Sequence, residues 1–433
     1  MLSFFRDAKW LNAERARVYS LMIFVALAAA ALWIIASQAF ISHVRYTQGG
    51  DFVSFYAAAK LAVGGHATDA WHRAVHARME STIAPGQGYL AFFYPPPYLL
   101  LLWPFGWLPY GAAVLTWLTV TNALAIFALY RGLKALAPNV RPAIIPLLAF
   151  PALWINLGCG QNGALTLALL AGGALWLDRR PWLAGAILGL LVIKPQLAIV
   201  LPVALLVCGR WKPLLAMGLS ALALSGLAWL AVGATGYTAF LQASHDATQS
   251  LVLSLVNPAQ MQSLYAALKL LKTPIIVAMT AQGLLSLAVL GLTAYAARRY
   301  RPDGFSLVAL CVSATVLATP FLLDYDLAIT ALPIAWLLVS GARDGRRPWE
   351  ATIALLAALL PLLSRQIALH LAVPLAPLVL LMLFAAVFGR VRAYSIYSGA
   401  SMRLPSNMAS DTIRSGEKSA SEALARTNSK KCA

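Results

Sequence analysis

"VYSLMIFVALAAAALWIIASQAFI", residues 18–41, carries no charged side chain. A helix rising about 1.5 Å per residue over this run crosses a hydrocarbon core of about 30 Å with some tilt. The run exceeds the apolar core of a cleaved signal peptide, about 7 to 15 residues, and is expected to be a retained first span. Arg6, Lys9, Arg15 and Arg17 precede it. By the excess of basic residues on cytoplasmic loops, they place the N-terminal segment inside and residue 42 outside. The rest of the chain is of the same kind: 433 residues, 61% hydrophobic and 11% charged, with mean hydropathy +0.74. An ordinary soluble domain has roughly a quarter of its residues charged. The composition therefore predicts an all-α polytopic membrane protein.

The net charge of +18 does not point to nucleic acid, because Lys and Arg fall in short clusters between apolar runs, as cytoplasmic loops require. Cys159, Cys208, Cys311 and Cys432 show no CxxC spacing and no disulfide framework. Residues 42–93 form an outer segment in which "DFVSFYAAAKLAV" and "TDAWHRAVHARMESTI" are helical in pattern but too short or too polar to span. They are expected to be interfacial helices, the first with its aromatic residues facing the bilayer surface. A long apolar stretch from Tyr94 to Tyr130, broken by Pro104 and Pro109, leads to the basic "RGLKALAPNVR".

Two apolar hairpins follow, "AIIPLLAFPALWINLGCGQNGALTLALLAGGALWL" and "WLAGAILGLLVIKPQLAIVLPVALLVCG", bounded by Asp178, Arg179 and Arg180 and by Arg210 and Lys212. If both basic clusters are cytoplasmic, each hairpin dips in and returns, bringing "GCGQN" and "IKPQ" toward the outer half of the bilayer. Non-helical backbone at that depth is tolerated where it is buried in protein or lines a cavity. Residues 213–234 are expected to cross outward, with a second outer segment at 235–273. The remaining spans alternate over 274–297, 304–323, 325–341, 350–369 and 371–389. The total is about twelve spans in one transmembrane domain over 1–389. Residues 390–433 are expected to form a disordered basic cytoplasmic tail.

This topology leaves Asp51, Asp69, Glu80, Asp246, Asp324 and Asp326 outside, out of fifteen acids. Asp51 precedes a short helix, where a carboxylate serves as an N-cap; an ionised carboxylate there also accepts a proton from a hydroxyl. Asp326 lies in "TPFLLDYDLAIT" at the outer tip of two spans, whereas Asp324 suits a short turn in water. Lys194 in "IKPQ" and Arg365 in "LLPLLSRQIALH" are the cations most firmly set in apolar sequence. An anionic ligand explains them, as does an ion pair with one of these acids or a snorkelling side chain. His72 and His76 stand four apart but lack an HExxH glutamate and a third ligand, so they are expected at the surface or in a substrate cleft. No Walker loop is present, and "GCGQN", set between two apolar runs, is not expected to act as a dinucleotide-binding loop; the Gly-Ala clusters "AGGALW" and "LAGAILGLL" suit close helix packing.

Several stretches occur in the order found in one family. "GGDFVSFYAAAKLAVGG", "FFYPPPYLLLLWPFGWLP", "GQNGALTLALLAGG", "WLAGAILGLLVIKPQLAIVLPVALLVCGRWK" and "ATPFLLDYDLAI" resemble glycosyltransferase family 87, polyprenyl-phosphate-sugar-dependent enzymes of the GT-C superfamily. The resemblance implies a GT-C-like bundle with its active site at the outer face of the cytoplasmic membrane and both termini in the cytoplasm. It implies an aspartate base in the first outer loop, which Asp51 matches. The donor would be a polyprenyl-phosphate sugar, mannose-like or an arabinofuranose, and the acceptor a lipid or glycan. Lys194 and Arg365 are then the candidates for the donor phosphate. Tyr56, Lys60, Asp69, Tyr94, Gln161, Asn162, Gln196, Asp324 and Asp326 are the candidates for substrate binding. "HATDAWHRA" departs from the expected Tyr-Asp pair. A leaving group with one phosphate does not oblige a metal, and none or a dispensable one is expected. The rival class is a transporter or glycolipid flippase, which also places charges and broken helices at membrane depth; no half-to-half repeat supports it. A glycan polymerase or ligase would carry more basic residues in a large outer loop.

Overall fold

The computed structural model describes residues 2–41, 50–140, 144–252 and 256–401. The start of the outer segment, 42–49, and the tail beyond 401 lie outside the described residues. The chain is all-α. A short α1 (Leu2–Asp7) precedes the first span, α2 (Ala13–Ile41). The segment that follows folds into α3 (Phe52–Val63) and α4 (Arg73–Ile83). Pro95, Pro96 and Pro97 then begin α5 (Pro96–Leu102), and Pro104 and Pro109 confine the chain to a single 3-10 turn before α6 (Tyr110–Leu136). Proline fits a helix start, because its missing N–H would have no partner there.

The first hairpin is α7 (Ile144–Leu148), α8 (Pro151–Cys159) and α9 (Gly163–Trp176), broken at Gly160–Asn162. The second is α10 (Pro181–Gly189) and α11 (Val200–Val207), joined through 3-10 turns on either side of Lys194. Both breaks fall at the expected tips. Next come α12 (Trp211–Val252), with Gly233 at φ 63° interrupting its helical backbone, α13 (Leu264–Leu270) and α14 (Ile275–Tyr300). The chain continues through α15 (Gly304–Ala318), a 3-10 turn over Asp324–Thr330, α16 (Ala331–Asp344), α17 (Glu350–Leu371) and α18 (Ala376–Ser401).

Among the described residues seven helices are long and apolar enough to cross a membrane, and shorter apolar helices, the hairpin arms among them, accompany them, as an all-α polytopic bundle requires. Two expectations are corrected. The aromatic residues of α3 do not face the bilayer: Phe52, Phe55 and Tyr56 are buried. They belong to an aromatic cluster with Tyr98, Phe92 and Trp117, in which the Phe55 and Tyr98 rings meet edge to face at 5.1 Å. Lastly, α18 continues past Gly389 to Ser401, because the buried Arg390 is anchored by Glu350 of α17 through Nε–Oε1 and Nη2–Oε2 contacts of 2.7 and 2.5 Å.

The larger core surrounds α15, whose residues from Gly304 to Leu317 are all buried. Asp303 caps it, accepting from the N–H groups of Phe305 and Ser306 at 3.0 Å. The fully buried Trp336 of α16 donates its Nε1–H to Ser306 Oγ at 3.1 Å. At one end of the bundle the basic loops are tied together. Arg210 reaches Asp178 and the carbonyl of Pro302, at 2.6 and 3.0 Å. Arg343 reaches the carbonyl of Leu136, and Arg346 that of Leu11. The breaks in both hairpins, the start of α3 and the Asp324–Thr330 turn meet at the other end.

Candidate active site

Asp51 stands at the start of α3 with φ −64° and ψ −15° and makes no side-chain capping bond. The cap explanation for this acid therefore fails. Its N–H donates instead to the carbonyl of Cys159 at the end of α8, at 2.8 Å. Gly50 makes the approach possible: its φ is +48°, and a Cβ there would lie 3.0 Å from that same carbonyl oxygen. The turn before α3 is thus clamped to the tip of the first hairpin.

The side chain is held by the same tip. Gln161 donates its Nε2–H to Asp51 Oδ2 at 2.8 Å, and Tyr94 donates its hydroxyl to Gln161 Oε1 at 3.0 Å. Asp51 Oδ1 accepts no hydrogen bond from a described residue. Burial pushes the half-buried Asp51 carboxyl above the usual carboxylate range; the Gln161 bond opposes this, and the charge of Asp324 adds to it.

Beyond Gln161, the buried Asn162 Oδ1 accepts from Lys194 Nζ at 2.9 Å. Lys194 is itself buried, paired with Asp326, and sits 5.4 Å from the centroid of the Tyr325 ring. Asp326 also accepts from the N–H of Leu323 at 3.2 Å. Arg365 pairs with Asp324 through Nη1 and Oδ2 at 3.2 Å, and its side chain is 40% exposed. Both embedded cations have thus found acids, and they differ in what remains free. Lys194 is enclosed, whereas Arg365 has used one N–H of the five a guanidinium offers.

Tyr94, Gln161, Asn162, Lys194 and Asp326 are therefore linked by hydrogen bonds to one another and to Asp51, and the Arg365–Asp324 pair acts on Asp51 through the charge of Asp324. Four other sequence candidates are not. Tyr56 donates its hydroxyl to the carbonyl of Leu108 at 2.7 Å. Lys60, nine residues past Asp51, lies about 13 Å further along the helix axis. Asp69 faces His72 and His66 at 2.9 and 3.7 Å. The side chain of Gln196 is exposed; it is the backbone carbonyl of this residue that accepts from Thr319 Oγ1, at 3.3 Å.

Two participants, the Cys159 carbonyl and Tyr98, carry no sequence signal. Cys159 acts through its carbonyl, which any residue provides. Tyr98 and Asn162 are fully buried beside the site, and Tyr98 Oη and Asn162 Nδ2 have no hydrogen-bond partner among the described residues. His76 is not a surface residue. It is fully buried, with Nε2 3.1 Å from the carbonyl of Ser54, which makes Nε2 the donor, and Nδ1 3.6 Å from Glu80 Oε1. Among the described residues no three His, Cys, Asp or Glu side chains group as metal ligands would.

A half-buried carboxylate with one oxygen tied and the other without a partner among the described residues is equipped to accept a proton, and Arg365 brings positive charge to Asp324, whose own charge reaches Asp51. Comparison with known proteins bears on this arrangement. The model of glycosyltransferase family 87 matches residues 92–320, just over half of the chain. That span includes Tyr94, Gln161, Asn162 and Lys194 and excludes Asp51, Asp324, Asp326 and Arg365. No curated protein and no solved structure is significantly similar to the chain. With its all-α, multi-pass architecture, the chain belongs to glycosyltransferase family 87 and is a membrane glycosyltransferase.

Proposed function

We propose that the enzyme moves a mannose-like sugar from a polyprenyl-phosphate donor to a hydroxyl of a lipid or glycan acceptor at the outer face of the cytoplasmic membrane, with Asp51 as general base. The observation that carries this reading is the position of Asp51: a constrained carboxylate where both hairpin tips and the Asp324–Thr330 turn meet. The acceptor oxygen attacks the anomeric carbon as its proton passes to Asp51. The bond from that carbon to the phosphate oxygen breaks, and its electron pair leaves with the polyprenyl phosphate. One displacement inverts the anomeric configuration. The departing phosphate needs a cation rather than an acid, since it leaves as a stable anion. Arg365, partly exposed and with donors to spare among the described residues, suits that task better than the enclosed Lys194.

Purified protein supplied with a polyprenyl-phosphate mannose donor and a membrane lipid extract tests the assignment. Asp51→Asn is expected to lower transfer by about 10²–10⁴-fold, the usual contribution of a positioned base, while donor binding persists. Undiminished transfer by a folded Asp51→Asn protein would sink it. The base must be ionised, so the rate is lost as pH falls through the raised pKa of Asp51. The acid limb is expected above the value of about 3.9 for a free aspartate. An arabinofuranosyl donor in the same assay distinguishes the pentose alternative.

A further inference from the structure

We infer that Tyr94 and Gln161 are positioning residues for Asp51, a two-step relay that fixes which carboxylate oxygen is tied and which is left for the acceptor hydroxyl. This rests on Asp51 being the base. It also moves both residues from sugar recognition to control of the base.

A glutamine amide reads equally well in two orientations unless a neighbour distinguishes oxygen from nitrogen. Here the backbone N–H of Asn162, which can only donate, lies 3.4 Å from Gln161 Oε1 and selects the oxygen for that side. Tyr94 adds a second donor there, and burial, with the charges of Asp326 and Asp51, raises its hydroxyl far above the ordinary value, so it keeps its proton at every working pH. Donating to Gln161 Oε1 at 3.0 Å, it turns Nε2 toward Asp51 Oδ2, at 2.8 Å. A flipped amide would set two oxygens against each other at that distance.

Tyr94 is itself restrained at both ends. Its carbonyl accepts from Trp71 Nε1 at 2.9 Å, and its ring meets Phe55 edge to face at 5.2 Å. Phe55 is on α3, the helix that Asp51 begins. The Asp51 N–H is tied to Cys159, two residues before Gln161. Backbone and side chain of the base are therefore referenced to one hairpin tip, which leaves Oδ1 without a partner among the described residues.

The relay predicts a property of Asp51 that needs no substrate. The Gln161 bond favours the ionised form, so losing it raises the proton affinity of Asp51. The other ionisable groups facing this carboxylate stay in place: Asp324 with its partner Arg365, Glu80, Cys159, Tyr325, and the Lys194–Asp326 pair. Dicyclohexylcarbodiimide modifies protonated carboxyls in apolar surroundings, and mass spectrometry of the Asp51 peptide across pH reads the titration directly. Gln161→Leu is expected to move the labelling midpoint up by about one pH unit, a tenfold rise in proton affinity. Tyr94→Phe, which removes one of the two donors that hold Gln161 Oε1, is expected to move it in the same direction by less. In the transfer assay both variants should lower kcat about tenfold or more and leave affinity for polyprenyl-phosphate mannose unchanged.

Gln161→Asn, which withdraws the amide by one methylene, replaces Gln161→Leu should that protein not fold, with the same upward shift expected. Wild-type midpoints in Tyr94→Phe and in either Gln161 variant would overturn the relay, even with Asp51→Asn inactive. An active Asp51→Asn protein would instead overturn the base assignment and leave the titration result standing.

Discussion

Lys194 and Asp326 neutralise each other inside the protein, and removing either alone strands a buried charge. Such losses cost about 3–5 kcal/mol, whereas replacing both partners by apolar side chains is often neutral. Lys194→Met is thus expected to lower the thermal stability of the detergent-solubilised enzyme, and Lys194→Met with Asp326→Leu to regain most of it. A Lys194→Met protein of unaltered stability that fails only in donor binding would return Lys194 to the phosphate. A second buried pair makes a pH-dependent prediction. Burial raises Glu80 to about 7 and lowers His76 to about 4. Glu80 holds its proton more tightly folded than unfolded, so its contribution is full below the unfolded pKa of about 4.5 and is lost as pH rises through 7. His76 runs the other way: its folded pKa is depressed, and stability is lost as pH falls from about 6.5 toward 4. The two largely cancel in the wild type. Glu80→Gln separates them, and should melt higher than the wild type at pH 8, with the gain shrinking as pH falls below 7. Equal melting temperatures at pH 8 would show that the carboxylate is solvated. The sequence made Asp51 and the acid partners of Lys194 and Arg365 legible, because charges are scarce in apolar sequence and must be accounted for. It concealed Cys159, which acts through its backbone, and the Tyr94–Gln161 contact, which joins residues 67 apart.

Among the elements, the hairpins were legible because Gly, Pro and polar residues interrupt apolar runs too short for two crossings. The count of about twelve spans took in each short arm, because hydropathy reports burial and does not separate lipid from protein as the apolar surroundings. The packing of α10 on α12 shows what determines such an arm. Gly185 and Gly189, one turn apart, face Pro213 and Met217: a Cβ on either would lie 2.2 Å or 2.4 Å from those carbonyl oxygens. Ser220 Oγ then donates to the carbonyl of Ala186 at 2.8 Å. Helices in lipid gain little from apolar burial against one another, so this close approach and its polar bond supply much of the attraction. Gly189→Val is expected to separate the helices at a cost of about 1–3 kcal/mol, the range for overpacking. Because α10 leads directly to the break that holds Lys194, transfer should fall along with melting temperature. A Gly189→Val enzyme with wild-type stability and rate would show that α12 yields freely. Gly218 on α12, whose added Cβ would meet nothing within 4 Å, provides the matched control.

At the scale of the whole molecule the two ends of the bundle differ in charge and in order. One end gathers Arg210, Arg343, Arg346, Arg347 and Arg390, each bound to a carboxylate or a carbonyl of a neighbouring segment. The other end holds Asp51, Gln161, Lys194, Asp326 and the Arg365–Asp324 pair, supplied by elements distant in sequence. Basic loops are retained in the cytoplasm, so the end with Asp51 is expected outside, where a sugar carried on a polyprenyl phosphate would meet it. Two exposed positions mark the ends, Gln196 beside Lys194 and Arg179 between α9 and α10. With the four native cysteines replaced, Gln196→Cys should react with a membrane-impermeant maleimide on intact cells, and Arg179→Cys only after the membrane is opened. The reverse pattern would place the site in the cytoplasm. Nucleotide sugars are available there, and the lipid-linked donor would lose its rationale even if Asp51 remained the base. Orientation therefore bears on the donor independently of the chemistry at Asp51, and the two cysteine variants decide it without a known substrate.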